Sequence, residues 1–175
     1  MFFNRGTICL AGNNVNIFNR CNACGPLKGK PEYQLVPLSV GLHWNLNPLI
    51  KEKLGIGIKG ECDLIVEPFI NTVIAPDTNI EVGSNFLLRY MVPFNKVKPY
   101  LKVGVGALYM TQHTREQSTQ YNFLPQFGGG IAFRVDESTA LNFEYRFRHL
   151  SNASFKEPNN GIDTDMFLIG LEFSF

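Results

Sequence analysis

The sequence predicts an all-β fold: an eight-stranded antiparallel up-and-down β-barrel that crosses a membrane with its apolar face outward. Three observations carry this expectation. Seven stretches alternate apolar and polar residues with period two and are separated by turn residues, the pattern of strands joined as hairpins. The polar half of the alternation carries nearly balanced charge. No run of about 18 apolar residues occurs, so a spanning helix is not expected, whereas alternating strands average to the near-zero mean hydropathy of this chain.

The 175 residues suffice for one domain. A net charge of +1 argues against a nucleic-acid partner, which calls for a basic stripe. Four cysteines are present, Cys9, Cys21, Cys24 and Cys62. Cys21 and Cys24 have redox or half-zinc spacing, but no second such pair and no paired histidines accompany them, so they read as incidental or structural. Neither a metal nor a cofactor is expected.

Taken in order, Val36, Leu38, Val40, Leu42, Trp44 and Leu46 share one face of a strand over about 35–46, and Asn47-Pro48 marks a turn. A second strand over about 54–70 sets Leu54, Ile56, Ile58, Leu64, Val66 and Ile70 against Lys59, Glu61, Asp63 and Glu67; Pro76-Asp77 ends that hairpin arm. A third, about 79–92, sets Ile80, Val82, Phe86, Leu88, Tyr90 and Val92 against Glu81, Asn85 and Arg89, and turns at Pro93-Phe94-Asn95. A fourth, about 97–111, opposes Val97, Leu101, Val103, Val105, Ala107 and Tyr109 to Lys98, Lys102, Gly104 and Gly106. After a polar loop from Gln112 to Gln120, a fifth carries Tyr121, Phe123, Phe127, Ile131, Phe133 and Val135. Beyond the turn Asp136-Glu137-Ser138, a sixth opposes Leu141, Phe143, Tyr145 and Phe147 to Asn142, Glu144, Arg146 and Arg148. The last sets Phe167, Ile169, Leu171, Phe173 and Phe175 against Gly170, Glu172 and Ser174. An eighth strand falls within residues 7–19, where the alternation is weak. Residues 1–30 stand apart as an atypical N-terminal segment contributing at most part of the first strand, and 31–175 form the barrel. That first segment has no cationic start, apolar run or small-residue cleavage site, so a signal for export has been removed or the start is atypical or truncated.

Period two alone does not say which face is outside. A soluble lipid carrier would turn the apolar face inward. The polar face decides: Lys59, Arg89, Lys98, Lys102, Arg134, Arg146 and Arg148 are matched by Glu61, Asp63, Glu67, Glu81, Glu144 and Glu172. Closely spaced opposite charges suit a packed interior in which each is paired. Glycines on the same face, among them Gly55, Gly57, Gly83, Gly104, Gly106 and Gly170, leave room for long side chains. The ending Gly170-Leu171-Glu172-Phe173-Ser174-Phe175 resembles the terminal signal of outer-membrane barrels.

Chemistry concentrates in His149-Leu150-Ser151-Asn152, at the end of the strand that begins near Leu141. Residues i and i+2 of a strand share a side, roughly 7 Å apart, so the His149 imidazole can lean toward the Ser151 hydroxyl. A serine needs such a base to become a nucleophile, and the base needs a third group to fix its tautomer. Asp163 begins the hairpin-paired strand with outward parity and is the candidate. His149 and Ser151 continue the outward series Leu141, Phe143, Tyr145, Phe147, so the pair faces lipid. A polar group there is costly and calls for a reason, which a lipid substrate supplies. With both termini periplasmic, this strand end lies near the outer leaflet. His43 reads as structural, His113 as a solvated loop residue, and Arg146, Arg148 and Glu144 as lumen ion pairs.

At these residues the chain resembles the lipid A 3-O-deacylase (PagL) family. The resemblance rests on Arg148-His149-Leu150-Ser151-Asn152-Ala153 and on Pro158-Asn159-Asn160-Gly161-Ile162-Asp163, and extends more loosely to Arg89-Tyr90, Pro99-Tyr100 with Gly104-Val105-Gly106, and the C-terminal strand. It implies an integral outer-membrane enzyme of a Gram-negative bacterium. That enzyme would hydrolyse the ester-linked acyl chain at the 3-position of lipid A in lipopolysaccharide, without metal or cofactor, and a homodimer is left open. It also implies Ser151 as nucleophile, His149 as general base and Asp163 in the place of the acid, which is Glu in the best-known pattern. Asn152 matches the oxyanion-hole asparagine, and the backbone of Ser154 stands where a glycine is expected. The rival readings are a non-catalytic structural barrel and a soluble lipid-carrying barrel with inverted facing.

Overall fold

The computed structural model describes residues 5–10, 33–75, 77–92, 94–111 and 117–174. It is a closed antiparallel barrel of strands β1 (Arg5–Leu10), β2 (Gln34–Asn45), β3 (Glu61–Ala75), β4 (Asn79–Met91), β5 (Val97–Met110), β6 (Tyr121–Arg134), β7 (Thr139–Leu150) and β8 (Ile162–Ser174), with one helix, α1 (Asn47–Leu54), between β2 and β3. Each strand pairs with the next in sequence. β1 closes the ring, with Thr7 opposite Gly41 of β2 on one side and Glu172 of β8 on the other. The strand expected within 7–19 is thus β1, beginning earlier; residues 11–19, Cys21, Cys24, His113 and Phe175 lie outside the described residues.

The facing is as the charge balance implied. Val40, Phe86, Val103, Phe127, Phe143 and Ile169 are exposed on the outer wall, while Asp63, Glu67, Glu81, Arg89, Lys102, Glu144, Arg146, Arg148 and Glu172 are buried in the lumen. This arrangement removes the inverted, soluble-carrier reading. Inside, charges are paired in sets. Arg89 donates to Glu172 Oε2 (2.6 Å) and to Asp63 Oδ2 (2.8 Å). Arg146 forks onto Glu67 (2.5 and 3.1 Å) and donates through Nε to Glu144 Oε1 (2.6 Å). Lys102 and Tyr100 complete Glu144 at 2.5 and 3.0 Å. Arg148 forks onto Glu81 (2.8 and 3.0 Å), which also accepts from Tyr33 and Asn71. Such charges tolerate burial only because each carboxylate meets several donors. Gly106 makes room for one spoke of the network: a Cβ there would lie 2.2 Å from Asn85 Oδ1, and Asn85 donates to Glu67 (2.9 Å).

The lumen is not polar throughout. At the end nearest Leu150 and Ile162, inward positions are Leu35, Val73, Leu108, Met110, Leu124 and Met166, which pack as an apolar plug. That plug backs the start of β8 and the end of β7 with packed apolar side chains.

Residues 46–60 depart from the expected turn and strand. β2 ends at Asn45, paired with Asp63, and beyond the bond from Leu46 N–H to Cys62 O (2.7 Å) residues 47–60 pair with no strand. Left unpaired, the segment satisfies its own backbone as α1. Pro48 stands in the first turn, where its missing N–H is harmless, and Lys51 and Lys53 in the last turn suit the helix dipole. Gly55, at φ 67°, ends the helix by donating its N–H to Lys51 O (3.1 Å). Asn47 ties the helix to β3, accepting from Cys62 N–H (2.9 Å) and donating to Gly60 O (2.7 Å). In consequence Leu54, Ile56 and Lys59 are exposed, and Lys59, Gly55 and Gly57 are not lumen residues. Arg134, at the end of β6, is also exposed. In the β6–β7 turn the Asp136 carboxylate accepts the N–H of Ser138 and of Thr139 (2.8 Å each), which holds its carboxyl below the usual range.

Candidate active site

The site is built on the last outward positions of β7. Beyond Leu150 the strand continues as a bridge to β6: Phe123 N–H donates to Ser151 O (2.7 Å) and Ser151 N–H to Phe123 O (3.1 Å). Extended pairing through Ser151 keeps it on the same wall as His149. On the other side, His149 stands directly opposite Asp163. The side chains meet, His149 Nδ1 to Asp163 Oδ1 at 2.5 Å. An ionised carboxylate only accepts, so Nδ1 carries the proton and Nε2 is the basic nitrogen. The His149 side chain is 42% exposed and that of Asp163 12%, which leaves the ring reachable from the wall while the acid is shielded. Among the described residues no hydrogen bond joins the Ser151 hydroxyl to the imidazole. Catalytic hydrogen bonds are often long in a ligand-free site and tighten only around substrate.

The loop after Ser151 is tightly organised. Asn152 O accepts from Phe155 N–H (3.2 Å) around Ala153 (φ 53°) and Ser154 (φ 62°), a turn whose two central residues are both left-handed. This is the shape for which a glycine is expected at 154. Neither of those two residues' backbone N–H groups makes a hydrogen bond among the described residues. Asn152 itself is buried. Its amide donates to Lys156 O (2.6 Å) and Ser118 Oγ (3.3 Å), and its N–H donates to Asn159 Oδ1 (3.0 Å). The Asn152 side chain therefore points into the loop, in keeping with its inward parity, and both amide hydrogens are engaged there. Ser118 adds its own bonds to Lys156 O (2.7 Å) and Pro158 O (3.0 Å), stitching the β5–β6 and β7–β8 loops together.

Two features were not read from the sequence as parts of the site. Gly161, read as a turn glycine, lies against the imidazole at φ 68°. Asp165 is a second carboxylate on the outer wall, where Tyr145 donates its hydroxyl to Oδ1 (2.5 Å). Its odd number on β8 was the available signal, the same parity that singled out Asp163. Aromatic side chains flank the polar strip: Phe127 packs on Phe147 (ring centroids 5.3 Å) and Phe123 on Phe155 (6.2 Å). Among the described residues no three His, Cys, Asp or Glu side chains are placed to share a metal ion.

Comparison with known proteins gives a consistent picture. The family model described as lipid A 3-O-deacylase (PagL) matches residues 38–172. A lipid A deacylase PagL from Pseudomonas aeruginosa is 30% identical over 73 residues, and the aligned stretch spans 40% of this chain and 40% of that relative. The crystal structure of the outer membrane enzyme PagL superposes with a TM-score of 0.64 at 15% identity, covering 98% of this chain and 99% of that one. Neisserial surface protein A superposes at 0.57 with 11% identity, covering 99% of this chain and 96% of that one. At such identities the superpositions speak to the barrel fold.

Proposed function

Since the chain belongs to the lipid A 3-O-deacylase (PagL) family, we propose that it hydrolyses the ester-linked 3-hydroxyacyl chain at the 3-position of lipid A. It is an integral outer-membrane β-barrel of a Gram-negative bacterium, and its substrate on this reading is lipopolysaccharide. The observation that carries the reading is the His149–Asp163 pair, mounted on the lipid-facing wall rather than in a pocket. A charged or ionisable side chain on that wall is destabilising, a cost that a function accounts for, and a membrane-resident ester is the substrate that reaches it.

In the proposed mechanism Ser151 Oγ attacks the ester carbonyl as His149 Nε2 takes its proton. Asp163 holds Nδ1–H and stabilises the imidazolium that forms. The oxyanion is received by the free backbone N–H of Ser154, while Asn152 acts by fixing the turn that aims it. Collapse expels the 3-hydroxyl of the glucosamine, protonated by His149. Water, activated by the same imidazole, then cleaves the acyl-enzyme and releases a 3-hydroxy fatty acid. Phe123, Phe127 and Phe147 give the acyl chain an apolar path beside the serine. With the β7–β8 loop outward, the site lies near the outer leaflet, where lipid A resides.

The test is incubation of lipopolysaccharide with wild type and Ser151→Ala. Release of 3-hydroxy fatty acid by wild type and its loss in the variant are expected; equal release by both would defeat the nucleophile assignment. A second reading, a structural barrel in which the motif only shapes the last outer loop, is favoured by the engagement of the Asn152 amide inside that loop. It requires no release by either protein from a folded barrel.

A further inference from the structure

The outward wall around His149 contains a slot that only a residue without a side chain leaves open. His149 stands opposite Asp163 and Leu150 opposite Ile162, where the β7–β8 ladder ends; Ser151 and Gly161 are the next residues beyond that end on the two sides of the seam. Gly161 is buried at φ 68°, and what covers it is the imidazole. A Cβ built there would lie 2.5 Å from Cε1, 3.2 Å from Nε2 and 3.5 Å from Nδ1 of His149. It would thus sit against the Cε1 corner, between the two nitrogens that perform the proton transfers. The first distance is far inside van der Waals contact and the obstructing atoms belong to a ring whose Nδ1, next to Cε1, is held by Asp163 at 2.5 Å. A ring that turns away to clear the Cβ carries Nδ1 with it, because Cε1 and Nδ1 are bonded neighbours.

We infer that Gly161 is a positioning residue: its bare Cα clears the space beside Ser151 that the imidazole occupies, letting Nδ1 meet Asp163 while Nε2 is presented along the wall. The inference rests on the deacylase reading for its consequence in turnover, but its structural content is independent of activity. Any side chain at 161 pushes the ring outward into lipid and parts it from the acid. The turn requirement alone gives a different expectation. Left-handed backbone strain is common to every substituted glycine at this φ, whereas the clash with the ring is particular to Gly161. Gly55 supplies the control, since it has nearly the same φ of 67° and nothing within 4 Å of its Cβ position.

The experiment compares wild type, Gly161→Ala and Gly55→Ala in detergent with histidine-labelled protein. The reporter is the low-field proton of His149 Nδ1–H bound to Asp163, assigned by its loss in His149→Ala. Gly161→Ala should lose or shift that resonance and reduce kcat on lipopolysaccharide about 100-fold, the order expected for a catalytic group displaced by about 1 Å, with KM little changed. Gly55→Ala should keep both. Retention of the resonance and of kcat within about threefold in Gly161→Ala would overturn the inference. If Gly161→Ala does not give a heat-modifiable folded barrel, Gly161→Ala combined with His149→Ala should restore folding, because the clashing ring is gone; failure to restore it also overturns the inference. Absence of deacylation by wild type would sink the functional reading, while the resonance would still decide the role of Gly161.

Discussion

Replacing Asp163 by Asn tests the acid at its most exposed assumption. The change is isosteric and leaves His149 Nδ1 with an amide at about the present 2.5 Å separation. An amide can donate as well as accept. When its nitrogen faces Nδ1, the ring places its proton on Nε2, the tautomer that cannot accept from Ser151. In the general serine-triad case this swap lowers kcat by about 10⁴, which corresponds to about 5.4 kcal/mol of transition-state stabilisation. Asp163→Glu tests the geometry instead. The added methylene moves the carboxylate by up to about 1.5 Å, one C–C bond length. The ring already rests against Gly161, which closes one direction of retreat. A loss of about 10² is expected, the order of a 1 Å misplacement, even though Glu is the family's more familiar acid. The assay is mass-spectrometric quantification of 3-hydroxy fatty acid released from purified lipopolysaccharide, with heat-modifiable mobility confirming a folded barrel. Asp163→Asn turning over within tenfold of wild type would refute the role of the acid. A faster Asp163→Glu would refute the expectation that the longer side chain misplaces the carboxylate.

Two further outcomes concern the framework around the site. Arg146→Met strips Glu67 of its fork and Glu144 of one of its partners inside the lumen; breaking a buried pair on one side costs about 3–5 kcal/mol, so the urea midpoint of the folded barrel should fall sharply, and an unchanged midpoint would contradict the network. Ser154→Gly removes a Cβ from a left-handed residue and should stabilise the loop by about 1 kcal/mol with turnover retained, read as a rise in unfolding midpoint; loss of turnover would show instead that the serine side chain takes part.

Parity along the strands made most of this molecule legible. Because a strand alternates strictly, one correct assignment of facing fixes every other position in it, and balanced charge on one face was enough to make that assignment. The same count placed His149, Ser151 and Asp163 outward, and the cross-strand meeting of His149 with Asp163 follows from a hairpin with a defined register. Alternation failed where no neighbour was there to use it. Leu54, Ile56 and Ile58 alternate as a strand does, yet a strand exists only when another offers its hydrogen bonds, and β2 has already ended at Asn45. Helix and turn chemistry at Pro48 and Gly55 then prevailed. The apolar plug at Leu35, Val73 and Leu124 was hidden for a related reason: parity says that a position is inward, not whether the inside is wet there.

The residues overlooked at the site share one property, that their role is set across strands rather than along them. Gly161 reads as a turn glycine in sequence, and only its place against the His149 ring gives the missing side chain a purpose. Asp165 has outward parity in a strand whose later outward residues are Phe167, Ile169 and Leu171, so its cost was visible; its hydroxyl donor, Tyr145, was not, because the two lie diagonally on neighbouring strands. A carboxylate on an apolar wall is costly, and one donor at 2.5 Å offsets only part of that cost. The polar groups on this face therefore form a strip down the β7–β8 seam, from Ser151 through His149 and Asp163 to Asp165 and Tyr145. A strip confined to one seam, on a wall otherwise apolar, is the arrangement expected when a membrane lipid has to be held by one edge of the barrel rather than taken into its interior.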